Sequence, residues 1–235
     1  MDVQSDVIQV QTPSGPMPAQ LARPASSDAP PGVIVIQEAF GLNDHIRGVA
    51  RRLAGEGYVT LAPDLFHRGG PGRVATYDDL PKALSLMSEL TDQGIVEDIS
   101  AAVGALEKQR AVRADRIGIT GFCMGGRVSY LAACALPDKI RAAVPFYGGG
   151  IPIDRTATLK SPVLAFFGEE DAFIPLDQVK ALQAEAARLG KSLEVHVYPK
   201  APHGFFCDER DSYRPDAAAD AWKRLTAFLA QHLKA

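Results

Sequence analysis

Arg116-Ile117-Gly118-Ile119-Thr120-Gly121-Phe122-Cys123-Met124-Gly125-Gly126 starts as an apolar strand, tightens into a turn and restarts as a helix that runs to Ala135. Gly121-x-Cys123-x-Gly125 has the spacing of a nucleophile elbow, with sulfur where a hydroxyl usually stands. Such a turn holds its central residue at strained backbone angles, and the flanking glycines remove side chains that would strike the neighbouring strand and helix. The sulfur then lies at a helix N-terminus, where the partial positive end of the dipole favours thiolate. The bland alternative is a buried cysteine in a glycine-rich turn. The strand before and the helix behind supply the context that the motif requires. Cys134, on the buried side of that helix, reads as core, and Cys207, which has no elbow, as a bystander.

On either side of this turn, strands alternate with helices. Val33-Ile34-Val35-Ile36 is a continuous β-branched run, as in a strand buried on both faces. Asp44 to Gly57 reads as a helix capped by Asn43 or Asp44, with Ile46, Val49, Ala50 and Leu53 on one face. Tyr58 to Leu61 is a strand stopped by Pro63, and 64–77 a loop. Helices follow near 79–91 and 95–110. Beyond the elbow come a strand at Ala142 to Tyr147 closed by Gly148-Gly149-Gly150, a strand at Val163 to Phe167 closed by Gly168, a helix at Leu176 to Leu189, a strand at Ser192 to Tyr198 and a helix at Asp216 to Leu233. Ahead of them, Val7 to Gln11 and Met17 to Ala22 read as a hairpin turning at Pro13-Ser14-Gly15, and Pro24 to Gly32 as a loop. This alternation predicts an α/β fold of the α/β-hydrolase type: a mostly parallel central sheet with helices on both faces, in one domain spanning residues 1–235.

In such sheets the chemistry gathers beyond the carboxyl ends of the strands. His203 stands there, in Ala201-Pro202-His203-Gly204-Phe205, and is the candidate base. His196 lies inside a strand, His45 opens a helix, His67 is in a loop and His232 is in the last helix. The acid should follow the preceding strand. Asp171 is the choice, with Glu169 and Glu170 as competitors, and its role would be to orient the imidazole. One oxyanion donor should be the Met124 N–H, the residue after the nucleophile, and a second should come from Gln37-Glu38-Ala39-Phe40-Gly41. A carboxylate beside an oxyanion hole opposes the charge formed there. Glu38 is therefore either turned away into solvent or structure, or it has a special function.

Composition limits the rest. Three cysteines without CxxC spacing do not make a disulfide framework. A net charge of -3 without a basic run argues against nucleic acid or an acidic membrane as partner. No His/Cys cluster has metal-ligand spacing and no phosphate-binding glycine loop is present, so neither metal nor cofactor is expected. Met1 to Gln11 lacks the basic start and apolar middle of a secretory signal, and no apolar run approaches the ~20 residues of a membrane span. A cytoplasmic setting is expected, with the chain a monomer or, as the alternative, a dimer.

Taken together, Gln37-Glu38-Ala39-Phe40-Gly41-Leu42-Asn43, Gly121-Phe122-Cys123-Met124-Gly125-Gly126, the Asp171 turn and His203-Gly204-Phe205 resemble the dienelactone hydrolase (carboxymethylenebutenolidase) family from about Val7 to the end. The resemblance implies a triad of Cys123, His203 and Asp171, with Ala39 and Met124 giving oxyanion N–H groups. It implies that Glu38 accepts the thiol's hydrogen bond and helps generate thiolate when substrate binds. The implied reaction opens an enol-lactone through an acyl-enzyme to a keto acid such as maleylacetate. One departure stands out. Where the family has an arginine shortly after the histidine, this chain has Phe205-Phe206-Cys207, and Arg210 is the nearest cation. Phe40, Tyr147, Phe205, Phe206 and Arg210 are candidate pocket residues. Two alternatives stay open: a broader carboxylesterase or thioesterase, suited by the aromatic residues, and a non-catalytic ligand-binding protein on a hydrolase scaffold.

Overall fold

The computed structural model describes residues 2–25, 29–109 and 112–235. The chain forms two compact units. The first holds residues up to Gly118 together with Lys234, and the second runs from Ile119 to Leu233 with Ala235.

In the first unit, β1 (Val3–Thr12) and β2 (Gly15–Pro24) form an antiparallel hairpin, and β2 pairs antiparallel with β4 (Val59–Pro63). β4 runs parallel to β3 (Pro31–Ile36), and the opening part of β5 (Arg113–Phe122) follows in the order β1-β2-β4-β3-β5. Both hairpin strands are longer than their hydrophobic alternation indicated. Most of β1 is exposed or half-exposed, so its ends are held by the hydrogen-bond ladder and leave no apolar pattern to read. All six residues of β3 are buried, as the β-branched run required. Helix α1 (Asp44–Gly55) packs on β2, β3 and β4, and α3 (Asp92–Glu107) on β3 and β4. Asn43 is the cap of α1: its Oδ1 accepts the Ile46 N–H at 3.1 Å. Helix α2 (Leu80–Ser88) lies between them in sequence. The expected loop at Pro24 to Gly32 and the end of the expected 95–110 helix fall partly outside the described residues.

In the second unit, the remainder of β5 is followed by β6 (Ile140–Phe146), β7 (Val163–Gly168) and β8 (Leu193–Tyr198), with β6–β7 and β7–β8 parallel. Helix α4 (Met124–Ala135) packs on β6, α5 (Leu176–Arg188) on β8, and α6 (Pro215–Leu233) on β6 and β7. Helix α6 begins one residue earlier than expected, on Pro215. Proline suits a first helical position because its missing N–H would have no partner there. Two short 3₁₀ segments, 67–69 and 153–158, carry no periodicity that the sequence reading could use. Strand ends and the turns after them therefore converge on the same end of each parallel set, which is where the candidate residues lie.

Candidate active site

Cys123 sits between the last residue of β5 and the first of α4, with φ 56° and ψ -118°. For a residue with a Cβ that is a strained conformation, costing on the order of 1–3 kcal/mol. The surroundings enforce it. The Cys123 N–H donates to the Phe146 carbonyl at 3.1 Å, and the Cys123 carbonyl accepts the Gly126 N–H at 2.9 Å, starting the helix. A Cβ on Gly126 would run into the Phe146 carbonyl oxygen, and one on Gly148 would lie 2.6 Å from the Arg127 nitrogen. Gly126 thus makes a close approach to the residues closing β6, beside the need that the sequence places on Gly121 and Gly125. The Met124 N–H is the first of α4 and has no carbonyl partner within the helix. Cys123 is half-buried, whereas Cys134 and Cys207 are buried. Burial pushes the Cys134 thiol up to about 11, as suits an inert core thiol.

The acid and the base come from neighbouring parallel strands. β7 ends at Gly168, and a Cβ there would run into the Ala201 carbonyl oxygen. Its absence lets the segment after β8 press against the turn after β7. Glu169 and Glu170 donate backbone N–H groups to Tyr198 and Ala201, both at 3.0 Å, and the Glu169 carboxylate accepts the Lys200 N–H at 3.0 Å. These two acidic side chains remain exposed, and Asp171 alone of the three turns inward. Its Oδ1 accepts the N–H groups of Phe173 (2.9 Å) and Ile174 (3.1 Å), and its Oδ2 takes the His203 Nδ1 at 2.8 Å. A carboxylate oxygen only accepts, so Nδ1 carries the hydrogen.

His203 also hydrogen-bonds the side chain of Cys123. Burial opposes a charge on its ring, but the hydrogen bonds to Asp171 and Cys123 outweigh burial and push the imidazole up to about 9. Tyr147 (φ 35°) and the exposed Phe173 meet the imidazole edge-on, at centroid distances of 5.1 and 5.2 Å. The structure thus brings Cys123, His203 and Asp171 together, and places Tyr147 against the ring. Phe173 was missed, and one unremarkable Phe in a turn gave no signal.

The other pocket candidates fare differently. Phe205 and Phe206 are core residues. Phe205 packs on Tyr147 and Tyr198, and Phe206 stacks on Phe122 and Trp222. The guanidinium of Arg210 lies across Gly204, where a Cβ would strike its Nη1. His196 pairs with Glu194 at 2.6 Å on β8, and His232 packs against Phe228 in α6.

In the first unit, the turn after β3 carries Glu38 with no exposed surface. Tyr77 donates its hydroxyl to Glu38 Oε2 at 3.2 Å and accepts from Asn43 Nδ2 at 2.9 Å. Glu38 is therefore not turned into solvent. Gly41 closes the turn at φ 92°, with its N–H on the Glu38 carbonyl (3.2 Å), and a Cβ there would lie 2.7 Å from the Arg73 carbonyl oxygen. Ala39 and Phe40 are buried, and Phe40 meets Tyr77 edge-on at 4.7 Å. His45 is buried in α1, and His67 is buried against Asp98 at 3.2 Å. Tyr77 and Asp98 were both missed. Among the described residues no group of three or more His, Cys, Asp or Glu is placed to hold a metal ion, and no helix is long and apolar enough to cross a membrane.

Comparison with known proteins bears on this arrangement. Residues 17–233 match the model of the dienelactone hydrolase family. A candidate carboxymethylenebutenolidase of Synechocystis sp. is 35% identical over 248 residues, covering 100% of this chain and 99% of the relative. The crystal structure of a candidate dienelactone hydrolase from Klebsiella pneumoniae superposes with a TM-score of 0.90 at 36% identity, over 98% of this chain and all of that one. That of a dienelactone hydrolase-like promiscuous phosphotriesterase from metagenomic libraries gives 0.88 at 26% identity, over 99% of both chains. With the α/β-hydrolase fold and a match over nearly its whole length, the chain belongs to the dienelactone hydrolase family and is a carboxylic-ester hydrolase.

Proposed function

We propose that this protein hydrolyses a small lactone or ester through a Cys123–His203–Asp171 triad. One observation carries the reading: an imidazole pinned by a buried carboxylate at 2.8 Å also hydrogen-bonds a sulfur held in a strained elbow. In the mechanism, the Cys123 thiol passes its proton to the free ring nitrogen of His203, the sulfur attacks the carbonyl carbon and a C–S bond forms as the carbonyl π bond opens. The oxyanion develops next to the Met124 N–H, at the positive end of α4. The ring C–O bond breaks as the His203 imidazolium gives its proton to the departing oxygen. Water then attacks the thioester, His203 takes its proton, and the C–S bond breaks to release the acid. Asp171 holds the tautomer and stabilises the imidazolium without taking the proton.

An enol-lactone substrate agrees with the relatives' names. A second reading, a broader carboxylesterase or thioesterase, is favoured by the stretch after His203, which offers no arginine before Arg210. Iodoacetamide at neutral pH, read by mass spectrometry, should modify Cys123 and abolish turnover. Full activity after stoichiometric labelling of Cys123 would defeat the central assignment. A screen of anionic lactones against neutral aryl esters separates the two substrate readings.

A further inference from the structure

A cavity of about 150 Å³ opens in the second unit between the end of β6 and helix α5. Ile151, Ile153, Phe167, Ile174, Val179 and Leu182 give it apolar walls. Its origin is the run Gly148-Gly149-Gly150, which leaves the end of β6 without side chains to fill the space. A Cβ on Gly149 would meet Ile174 only at ordinary van der Waals distance, 3.6 Å. The cavity is one link from the triad on two sides. Ile174 donates its N–H to Asp171 Oδ1, and Gly148 lies against Gly126 of the elbow.

A second observation points the same way. Phe173, next to Ile174, is 66% exposed with its ring edge-on to His203. The turn that fixes the acid thus presents one large apolar side chain at the imidazole and the next one in the cavity wall. Phe173, held edge-on to the imidazole by the turn that also supplies the cavity wall, places apolar surface at the reacting centre. Gln178 also reaches the wall, and the volume is about that of an apolar cavity that accepts a guest as large as benzene.

Building on the hydrolase reading, we infer that the Phe173–Ile174 turn and this cavity form an apolar subsite, and that the substrate is an ester or lactone with a short-alkyl or single-ring substituent. Hydrophobic pockets discriminate through fit: one methylene is worth about tenfold or more in kcat/KM. The subsite, rather than the triad, would then set chain-length preference.

Two ester series test this, one varied in the acyl chain from acetate to octanoate and one in the alkoxy chain from methyl to hexyl, with the intact protein. The wild type should peak at an intermediate length in one series, and that series names the arm that enters. Ile153→Phe, which narrows the cavity, should lower the intermediate-to-shortest ratio of kcat/KM about tenfold. Ile174→Ala, which widens it and keeps the backbone bond to Asp171, should move the optimum to longer chains. Circular dichroism confirms folding, and Phe173→Ala gives a third readout, a raised KM for the apolar esters. If both cavity variants follow the wild-type profile in both series, the subsite is overturned while Cys123→Ala still abolishes turnover. If Cys123→Ala leaves turnover intact, the failure belongs to the hydrolase mechanism instead.

Discussion

His203 and Asp171 in the second unit meet at 2.8 Å, and His67 and Asp98 in the first meet at 3.2 Å. Both aspartates are buried and both imidazoles are largely so. The remaining partners separate them. Asp98 also receives Arg68 through two hydrogen bonds, at 2.6 and 3.0 Å, and Arg68 reaches on to the Gly94 carbonyl. The carboxylate charge is already met by a guanidinium, and the histidine completes a closed cluster that ties 67–69 to α3. Asp171 is otherwise held by two neutral amide N–H groups, so its charge remains available to an imidazolium. His203 has a sulfur as its further partner. A buried His–Asp pair is therefore not in itself a catalytic signature. What matters is whether the carboxylate's charge is already balanced and whether a nucleophile faces the ring.

The largest effect that can break this contrast is on turnover. His203→Gln should lower kcat/KM by about 10²–10⁴, the range of a lost general acid–base, with the fold intact. His67→Gln should instead cost about 1–3 kcal/mol of stability and leave kcat/KM within a few-fold. Comparable turnover losses in the two variants would erase the distinction. Asp171→Asn should be comparable, lowering kcat by up to about 10⁴ because the amide no longer fixes the tautomer. Its counterpart Asp98→Asn should show in urea denaturation, with about 3 kcal/mol lost as Arg68 is left without its charge partner.

A third measurement sharpens the contrast through pH. The His203 imidazole is raised from 6.5 to about 9 in the folded protein. Below pH about 6.5 the ring is charged whether or not the chain is folded, and its pairing stabilises the fold in full. Between about 6.5 and 9 the unfolded chain loses this proton while the folded chain keeps it, and that contribution, on the order of 3 kcal/mol, fades. Wild type should thus lose stability over this window relative to His203→Gln, and turnover should fall above pH about 9 as the leaving group loses its proton donor. Parallel stability profiles for the two proteins would contradict the pairing. The smallest effect is reserved for Glu38→Gln. The amide oxygen still accepts from Tyr77, so the melting temperature should hold within a few degrees while turnover falls about tenfold. Unchanged kinetics would leave Glu38 a structural carboxylate.

How far these features could be read in advance varied with how local they are. The Cys123 elbow was legible because a strained turn between a strand and a helix restricts residue types within five positions. The acid was legible only as one of three, since Glu169, Glu170 and Asp171 share one turn. The choice is made by the close approach of Ala201 to Gly168 and by Lys200, which lie some thirty residues further on. The His67–Asp98 pair joins residues 31 apart. Its one local trace is an acid on the stripe that α3 otherwise fills with Ile95, Ile99 and Ala102. The extended ends of β1 were hidden because a mostly exposed edge strand needs no hydrophobic pattern.

The outermost strand of the second unit has a consequence of its own. β8 is bonded along one side, to β7, and none of its residues is fully buried. Edge segments of this kind open at a fraction of the free energy that unfolds a core. The imidazole hangs just beyond it, while the sulfur follows the buried end of β5. The temperature at which turnover is lost should accordingly be set at this margin. On gentle warming the enzyme should fall silent first, still folded and still bearing a sulfur that alkylating reagents can find, and recover when cooled.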